Sequence, residues 1–330
     1  MNIACLGAGN WGTTLAILLA EKQLSVRLWE FRKDLAEELA KHRENRLYLP
    51  GIKLPDSILV THRLDEALQN ADMILLVVPC QVTRSVCRQV VAHSIKARFL
   101  VSAVKGIELK SLKRVSQIVA EELPANISYG VLSGPSLANE VAQKHPASVV
   151  IASQRLEMAQ RMQETFFTRY FRVYASADVV GVELAGALKN VIALAAGICD
   201  GLGLGMNTKG ALITRGLVEI AKLGETLGGK RVTFAGLSGM GDLITTCNSP
   251  LSRNHRVGEA LAKGRKLDEI LQEMVMTAEG VPTAQAALEL AQRHGIAMPI
   301  AKAVCQVLFE EKAPRQAVEE LMLRKLKVED

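Results

Sequence analysis

Short apolar runs alternate with amphipathic stretches through the first half of the chain. The runs NIACL, SVRLWE, ILVT, DMILLVV, RFLVSAV, ISYGVLSG, ASVVIAS and YFRVYAS are nearly continuous in apolar residues, and polar stretches of helical pattern separate them. Strands apolar on both faces with helices between them predict a mainly parallel sheet covered on both sides. Beyond residue 177 the strand pattern stops, and Ala/Leu/Glu-rich stretches punctuated by Gly or Pro run on to the C-terminus. This predicts an all-helical second half. There is no repeat of solenoid period, low-complexity tract or Pro/Ser-rich linker. The expected fold is therefore α/β: a doubly wound, mainly parallel sheet domain over 1–177 and an all-α domain over 178–330, joined by a strand-to-helix passage near residue 178.

Composition narrows the function classes. Of the 330 residues, 49% are hydrophobic and 22% charged, ordinary for a globular protein and not for a disordered one. The net charge of +6 is mild over this length, and with 4% aromatic residues and no dense Lys/Arg stripe it suits small anionic ligands, not nucleic acid. The six cysteines form no CxxC pair and have no His at metal-ligand spacing, so reduced core thiols in a cytoplasmic protein are expected, without a metal. The start MNIACLGAG enters a strand pattern directly, and no later segment reaches the ~18 uninterrupted apolar residues of a membrane span. The expectation is a soluble protein that is not an integral membrane protein.

The segment CLGAGNWGTTLAILLAE sets Gly7, Gly9 and Gly12 in a GxGxxG pattern between the first strand and the first helix. The three glycines serve a tight turn, close approach of backbone to a pyrophosphate, and close helix-on-strand packing, with the helix N-terminus toward the anion. The second strand ends at Glu30, where an acid would bond the ribose 2′-hydroxyl of NAD. Arg32, two residues on, would instead pair with the 2′-phosphate of NADP. The two point in opposite directions, so use of both cofactors is expected.

Three further clusters carry polar chemistry. SAVKGIE places Lys105 beyond the carboxyl end of a strand, and LSGPSLANE does the same for Ser133, Gly134, Pro135 and Ser136, where open α/β sheets bind ligands. FAGLSGMGDLITTCNSPLSRNHRVGE reads as a polar loop holding Asp242, Thr245, Thr246, Ser252, Arg253 and Asn254 ahead of a helix, a candidate phosphate clamp. The last cluster is GALKNVIALAAG, in which Lys189 shares a helical face with Val182, Ala185, Gly186, Ile192, Ala193 and Ala196, with no carboxylate among them. Its ammonium either snorkels to water or is desolvated, with a pKa lowered toward proton-transfer range. On the helix alone both remain open.

The blocks GAGNWGTTLA, SAVKGIE, LSGPSLANEVA, ELAGALKNVIALAAGICDGLGLGMNTKGALITRGL and GLSGMGDLITTC…SRN resemble, in order and spacing over nearly the full chain, the NAD(P)-dependent glycerol-3-phosphate dehydrogenases of the bacterial, cytosolic type. The resemblance implies a Rossmann domain with a helical C-terminal domain like that of 6-phosphogluconate dehydrogenase. It also implies NAD(P)-linked interconversion of dihydroxyacetone phosphate and sn-glycerol 3-phosphate for phospholipid synthesis, and a homodimer. By position it makes Lys189 the proton donor and acceptor, and Lys105 a second catalytic residue that contacts both substrate and cofactor and orients the substrate oxygen. Gly134, Ser136, Asn190, Asp242, Thr246, Ser252, Arg253 and Asn254 become substrate contacts. Gly7, Gly9, Asn10, Trp11, Gly12, Arg32, Ala138, Arg253 and Glu279 become cofactor contacts. The chain departs from the family pattern at Phe31, and the match around Glu279 (TAEGVPTA) is short. Two other readings stay in play: a β-hydroxyacid or 6-phosphogluconate-type dehydrogenase, and a non-catalytic NAD(P)H-sensing module.

Overall fold

The computed structural model of the chain describes residues 1–93, 96–326 and 328–329. Among the described residues, eight strands, β1 (Asn2–Leu6), β2 (Ser25–Trp29), β3 (Leu59–Thr61), β4 (Met73–Leu76), β5 (Phe99–Ser102), β6 (Ser128–Ser133), β7 (Ala147–Ala152) and β8 (Phe171–Ser176), form one sheet in the order β3-β2-β1-β4-β5-β6-β7-β8. Every neighbouring pair is parallel except β6 and β7. The β6–β7 link holds only the helix Ala138–Ala142, too short for the crossover that a parallel pair requires, so β7 returns antiparallel. Each of the eight apolar runs forms a strand. The central β1, β4 and β5 are buried almost throughout, because helices cover both faces.

The helix Val179–Gly201 opens the second half. The Asp178 carboxylate caps it by accepting from the Gly181 amide at 2.8 Å, and accepts as well from the Lys230 amide and the Thr233 hydroxyl. The helix is long and apolar enough, by length and composition, to cross a membrane, with a mean hydropathy of 1.7 over its most apolar window. However, 94% of that window is buried inside the protein, because helices from the rest of the C-terminal half surround it. A helix apolar on all sides is the axis of such a layer. Glu183, its one acid in the first three turns, is buried under Arg114, Ser116 and Tyr129 of the sheet domain, and their hydrogen bonds to it pin the helix to that domain.

One expected loop proves to be helical. Leu237–Gly241 forms a π-helical turn that runs into the helix Asp242–Asn248. Gly239 sits tight against the Phe234 backbone, which leaves no room for a side chain there. Chain that looks like Gly-punctuated loop is thus packed helix, and it presents Asp242 and Thr246 on one face, four residues apart.

Candidate active site

The sheet reverses direction of winding between β1 and β4, and the crevice at their carboxyl ends is where a doubly wound sheet takes its ligand. Gly7 follows β1 with φ +112°, donates its N–H to the Trp29 carbonyl at 3.0 Å, and lies so near Val77 that a Cβ would come within 2.6 Å of the Val77 carbonyl oxygen. At Gly12 a Cβ would overlap the Gly7 carbonyl, so the helix Asn10–Glu21 can close on the strand only without one. A Cβ on Gly9, by contrast, would meet nothing within 4 Å. It faces open space at the helix N-terminus, in the cavity of about 900 Å³ that runs from here to the C-terminal helices.

At the far end of that cavity stands Lys189. It is 6% exposed, and its Nζ lies 2.9 Å from Asp242 Oδ1 and donates to Thr246 Oγ1 at 2.6 Å. The Thr246 hydroxyl spends its own proton on the Asp242 carbonyl oxygen at 2.6 Å, so it can only accept from the lysine. Lys105 Nζ binds the other carboxylate oxygen of Asp242 at 2.6 Å and donates to the Gly134 carbonyl at 3.2 Å. Helical neighbours offered Lys189 no carboxylate. Asp242 comes from a separate helix, so only tertiary packing supplies the partner.

Burial pulls the Lys189 pKa down to about 8, assisted by the neighbouring Lys105 and opposed by Asp242. Burial also acts to raise the Asp242 carboxyl, but Lys105 and Lys189 outweigh it and hold the group below its ordinary value. Two cations therefore share one anion, leaving a net positive site at the cavity wall. An ammonium has three N–H bonds. Asp242 and Thr246 take two from Lys189, and the third is left for a ligand.

A chain of amides lines the adjoining wall. Asn190 Nδ2 donates to the Lys105 carbonyl at 3.4 Å, Asn254 Nδ2 donates to Asn190 Oδ1 at 2.9 Å, and the Gly280 amide donates to Asn254 Oδ1 at 2.9 Å. Ser252 caps the helix Arg253–Ala262, and Arg253 donates to the Thr277 carbonyl at 2.8 Å. The Glu279 carboxylate accepts from the Cys80 amide through Oε1, while its buried Oε2 has no partner among the described residues. Burial raises this carboxyl, against the pull of the Cys80 amide and Arg253.

The structure brings Gly7, Gly9, Asn10, Trp11, Gly12, Arg32, Lys105, Ser136, Ala138, Lys189, Asn190, Asp242, Thr246, Ser252, Arg253, Asn254 and Glu279 to this one cavity. Gly134 is not on its wall: at φ +139° it packs on Val149, and its carbonyl receives Lys105 and the Ser136 hydroxyl. Ser136 does not begin a helix, since Leu137 stands between it and the short turn from Ala138. Tyr48 also lines the cavity, and its hydroxyl accepts from Arg32. No motif marks Tyr48; only the fold of the 44–58 segment carries it there. Arg32 also ion-pairs with Glu30 at 3.5 Å, and its Nε is buried without a hydrogen bond.

These residues fit a dinucleotide. The glycine turn leaves space where a pyrophosphate would lie, and Glu30 and Arg32 stand at the end of β2 where a ribose would. The orphaned Glu279 Oε2 is an acceptor for a hydroxyl-rich ligand.

Family models agree along both halves: residues 2–159 match the N-terminal model of NAD-dependent glycerol-3-phosphate dehydrogenase, and residues 178–319 match its C-terminal model. The chain belongs to the glycerol-3-phosphate dehydrogenase family. A glycerol-3-phosphate dehydrogenase [NAD(P)+] of Geobacter metallireducens is 53% identical, with 99% of this chain and 98% of the relative aligned. One of Chlorobium limicola is 49% identical over 100% and 99%. The crystal structure of the Coxiella burnetii glycerol-3-phosphate dehydrogenase superposes with a TM-score of 0.94 at 40% identity, covering 98% of this chain and 99% of that one. Relatives of this identity along the whole length do not favour the β-hydroxyacid and sensor alternatives.

Proposed function

We propose that Lys189 is the proton carrier in an NAD(P)-dependent interconversion of dihydroxyacetone phosphate and sn-glycerol 3-phosphate. The observation that carries the reading is a buried ammonium with a pKa near 8 and one N–H left uncommitted toward the dinucleotide cavity. Such a group sits near the ideal for giving and taking a proton at neutral pH. In reduction Lys189 passes its free proton to the C2 carbonyl oxygen as that oxygen gains charge, and becomes a neutral amine. In oxidation the neutral amine takes the hydroxyl proton back. A nicotinamide held in the cavity would supply the hydride in one direction and accept it in the other.

Asp242 holds Lys189 and Lys105 side by side, and the surplus positive charge of the trio stabilises the developing oxyanion. Asn190 orients the substrate beside Lys189, and Thr246 fixes the rotation of the lysine ammonium. Arg253, with Ser252, Asn254 and Ser136, holds the phosphate dianion, and binding energy from that remote group orients C2. Gly134 acts through its carbonyl, by aiming Lys105. Gly7, Gly9, Asn10, Trp11, Gly12, Arg32, Ala138 and Glu279 hold the dinucleotide. Residues 1–177 form the cofactor domain and 178–330 the substrate domain.

The setting that suits this reading is a cytoplasmic homodimer feeding glycerol 3-phosphate to phospholipid synthesis. Six buried free thiols support the compartment, and the exposed apolar Met206, Val218 and Val232 of the helical half support self-association. The deciding experiment is Lys189→Ala assayed with saturating dihydroxyacetone phosphate and NAD(P)H. Loss of the general acid lowers kcat by ~10²–10⁴-fold; near-normal turnover would reject the role.

A further inference from the structure

A second ionic cluster lies outside the cavity, at the C-terminal end of the helix that carries Lys189. Asp200 Oδ2 receives His255 Nε2 at 2.7 Å and Lys209 Nζ at 2.6 Å. His255 and Lys209 are both buried, at 7% and 8% exposed. A carboxylate only accepts, so the imidazole carries its proton on Nε2. Its Nδ1 is buried without a partner among the described residues, so the Asp200 contact is the ring's one hydrogen bond among them. His255 follows Arg253 and Asn254 directly, in the first turn of the helix Arg253–Ala262.

That helix meets the helix Val179–Gly201 backbone to backbone. A Cβ on Gly197 would overlap the His255 carbonyl, and one on Gly258 would overlap the Leu194 carbonyl. At these glycines no side chains interlock, and Val257 and Leu261 of the same helix pack into the apolar core alongside them. Two polar ties hold its first turn in addition. Asn254 reaches Asn190, and His255 reaches Asp200, itself braced by Lys209 from the helix Met206–Thr226. Among the described residues the Arg253 side chain has no such tie to the catalytic helix; its one side-chain hydrogen bond there goes to the Thr277 carbonyl.

We propose that His255, held by the Asp200–Lys209 pair, is a positioning residue that sets the first turn of its helix and so aims Arg253 at the substrate phosphate. The inference rests on the phosphate-holding role given above to Arg253. Asp200 stays ionised beside the imidazole. Burial opposes its charge, but the Lys209 and His255 hydrogen bonds outweigh that effect and keep the carboxyl below its ordinary value.

The test is steady-state kinetics with dihydroxyacetone phosphate at saturating NAD(P)H for His255→Leu, His255→Gln, Arg253→Ala and the double variant His255→Leu/Arg253→Ala. Residues acting through a shared contact couple strongly, so His255→Leu should raise KM by about tenfold with kcat within about twofold. Gln keeps an N–H at the position of Nε2 and should restore KM. In the Arg253→Ala background, His255→Leu should add less than about a twofold change, because the group it aims is gone. A lowered melting temperature with unchanged KM, failure of Gln to restore KM, or full additivity in the double variant would overturn the inference. If Arg253→Ala itself leaves KM unchanged, the phosphate role of Arg253 fails instead, and that outcome is separate because it does not involve His255.

Discussion

Asp242 stands between two ammonium groups, and removing its charge while keeping its shape should move the working pH of the enzyme. In Asp242→Asn the amide oxygen can still accept from Lys189, while the amide NH2 replaces the oxygen that accepts from Lys105, so for Lys189 the change is mainly electrostatic. At the observed 2.9 Å, an effective dielectric of about 20 gives a Coulomb attraction of about 6 kcal/mol. Water entry and side-chain relaxation would dissipate part of that, and half of it is still about 2 pH units. Lys105 would then repel Lys189 with no anion between them, in the same direction. The Lys189 pKa, about 8 in the native protein, should therefore fall to about 6 or lower.

The general acid must be protonated for reduction. In the native enzyme kcat/KM for dihydroxyacetone phosphate should accordingly fall as pH rises through about 8, and in the oxidation direction it should rise through the same value. In Asp242→Asn the falling limb should move down to about 6 or lower, so that activity lost at neutral pH is partly recovered in mildly acidic buffer. The assay is NAD(P)H oxidation followed by absorbance across a pH series, with cofactor saturating. A falling limb still centred near 8 in the variant, whatever its overall rate, would show that Asp242 does not tune Lys189.

Arg32→Ala should cut kcat/KM with NADPH about tenfold relative to NADH, through loss of a 2′-phosphate partner. Glu30→Gln should shift the ratio the other way, and an unchanged ratio in both variants would reject the assignment. Gly12→Ala should destabilise the protein by about 1–3 kcal/mol in denaturant unfolding, because the added methyl overlaps the Gly7 carbonyl. Gly9→Ala should leave stability intact and raise the cofactor KM, because its methyl enters the cavity; equal losses of stability would contradict that geometry. Glu219 is buried where it accepts from the Ile300 and Ala301 amides, and burial pushes its carboxyl up to about 7 despite those bonds. The folded state then holds this proton more tightly than the unfolded state does, so the group lowers stability as pH rises from about 4.5 to 7. Glu219→Gln removes that penalty. Its melting temperature relative to the native protein should be higher at pH 8 than at pH 5, and a pH-independent difference would refute the shift.

All eight strands, the glycine turn and the passage into helix near residue 178 are legible in the chain itself, because each follows from local hydrophobic period and turn chemistry. The antiparallel β7 is not, because a parallel and an antiparallel strand bury the same apolar run. The stretch from Leu237 to Asn248 reads as a loop because its glycines look like breaks; in the structure they are where backbone meets backbone. For Lys189 the helical pattern revealed small neighbours and no carboxylate, which left a snorkelling lysine and a proton carrier equally open. Asp242, 53 positions on by residue number, holds the ammonium buried in an ion pair, which is not the geometry of a snorkelling lysine. Tyr48 beside Arg32, and Asp200 beside His255, are likewise partners that no local spacing announces. Periodicity is a property of neighbours along the chain, so the sequence alone determined the elements and their order. Ion pairing, desolvation and pKa depend on distances between groups far apart along the chain, so those were decided only when the two halves closed on each other.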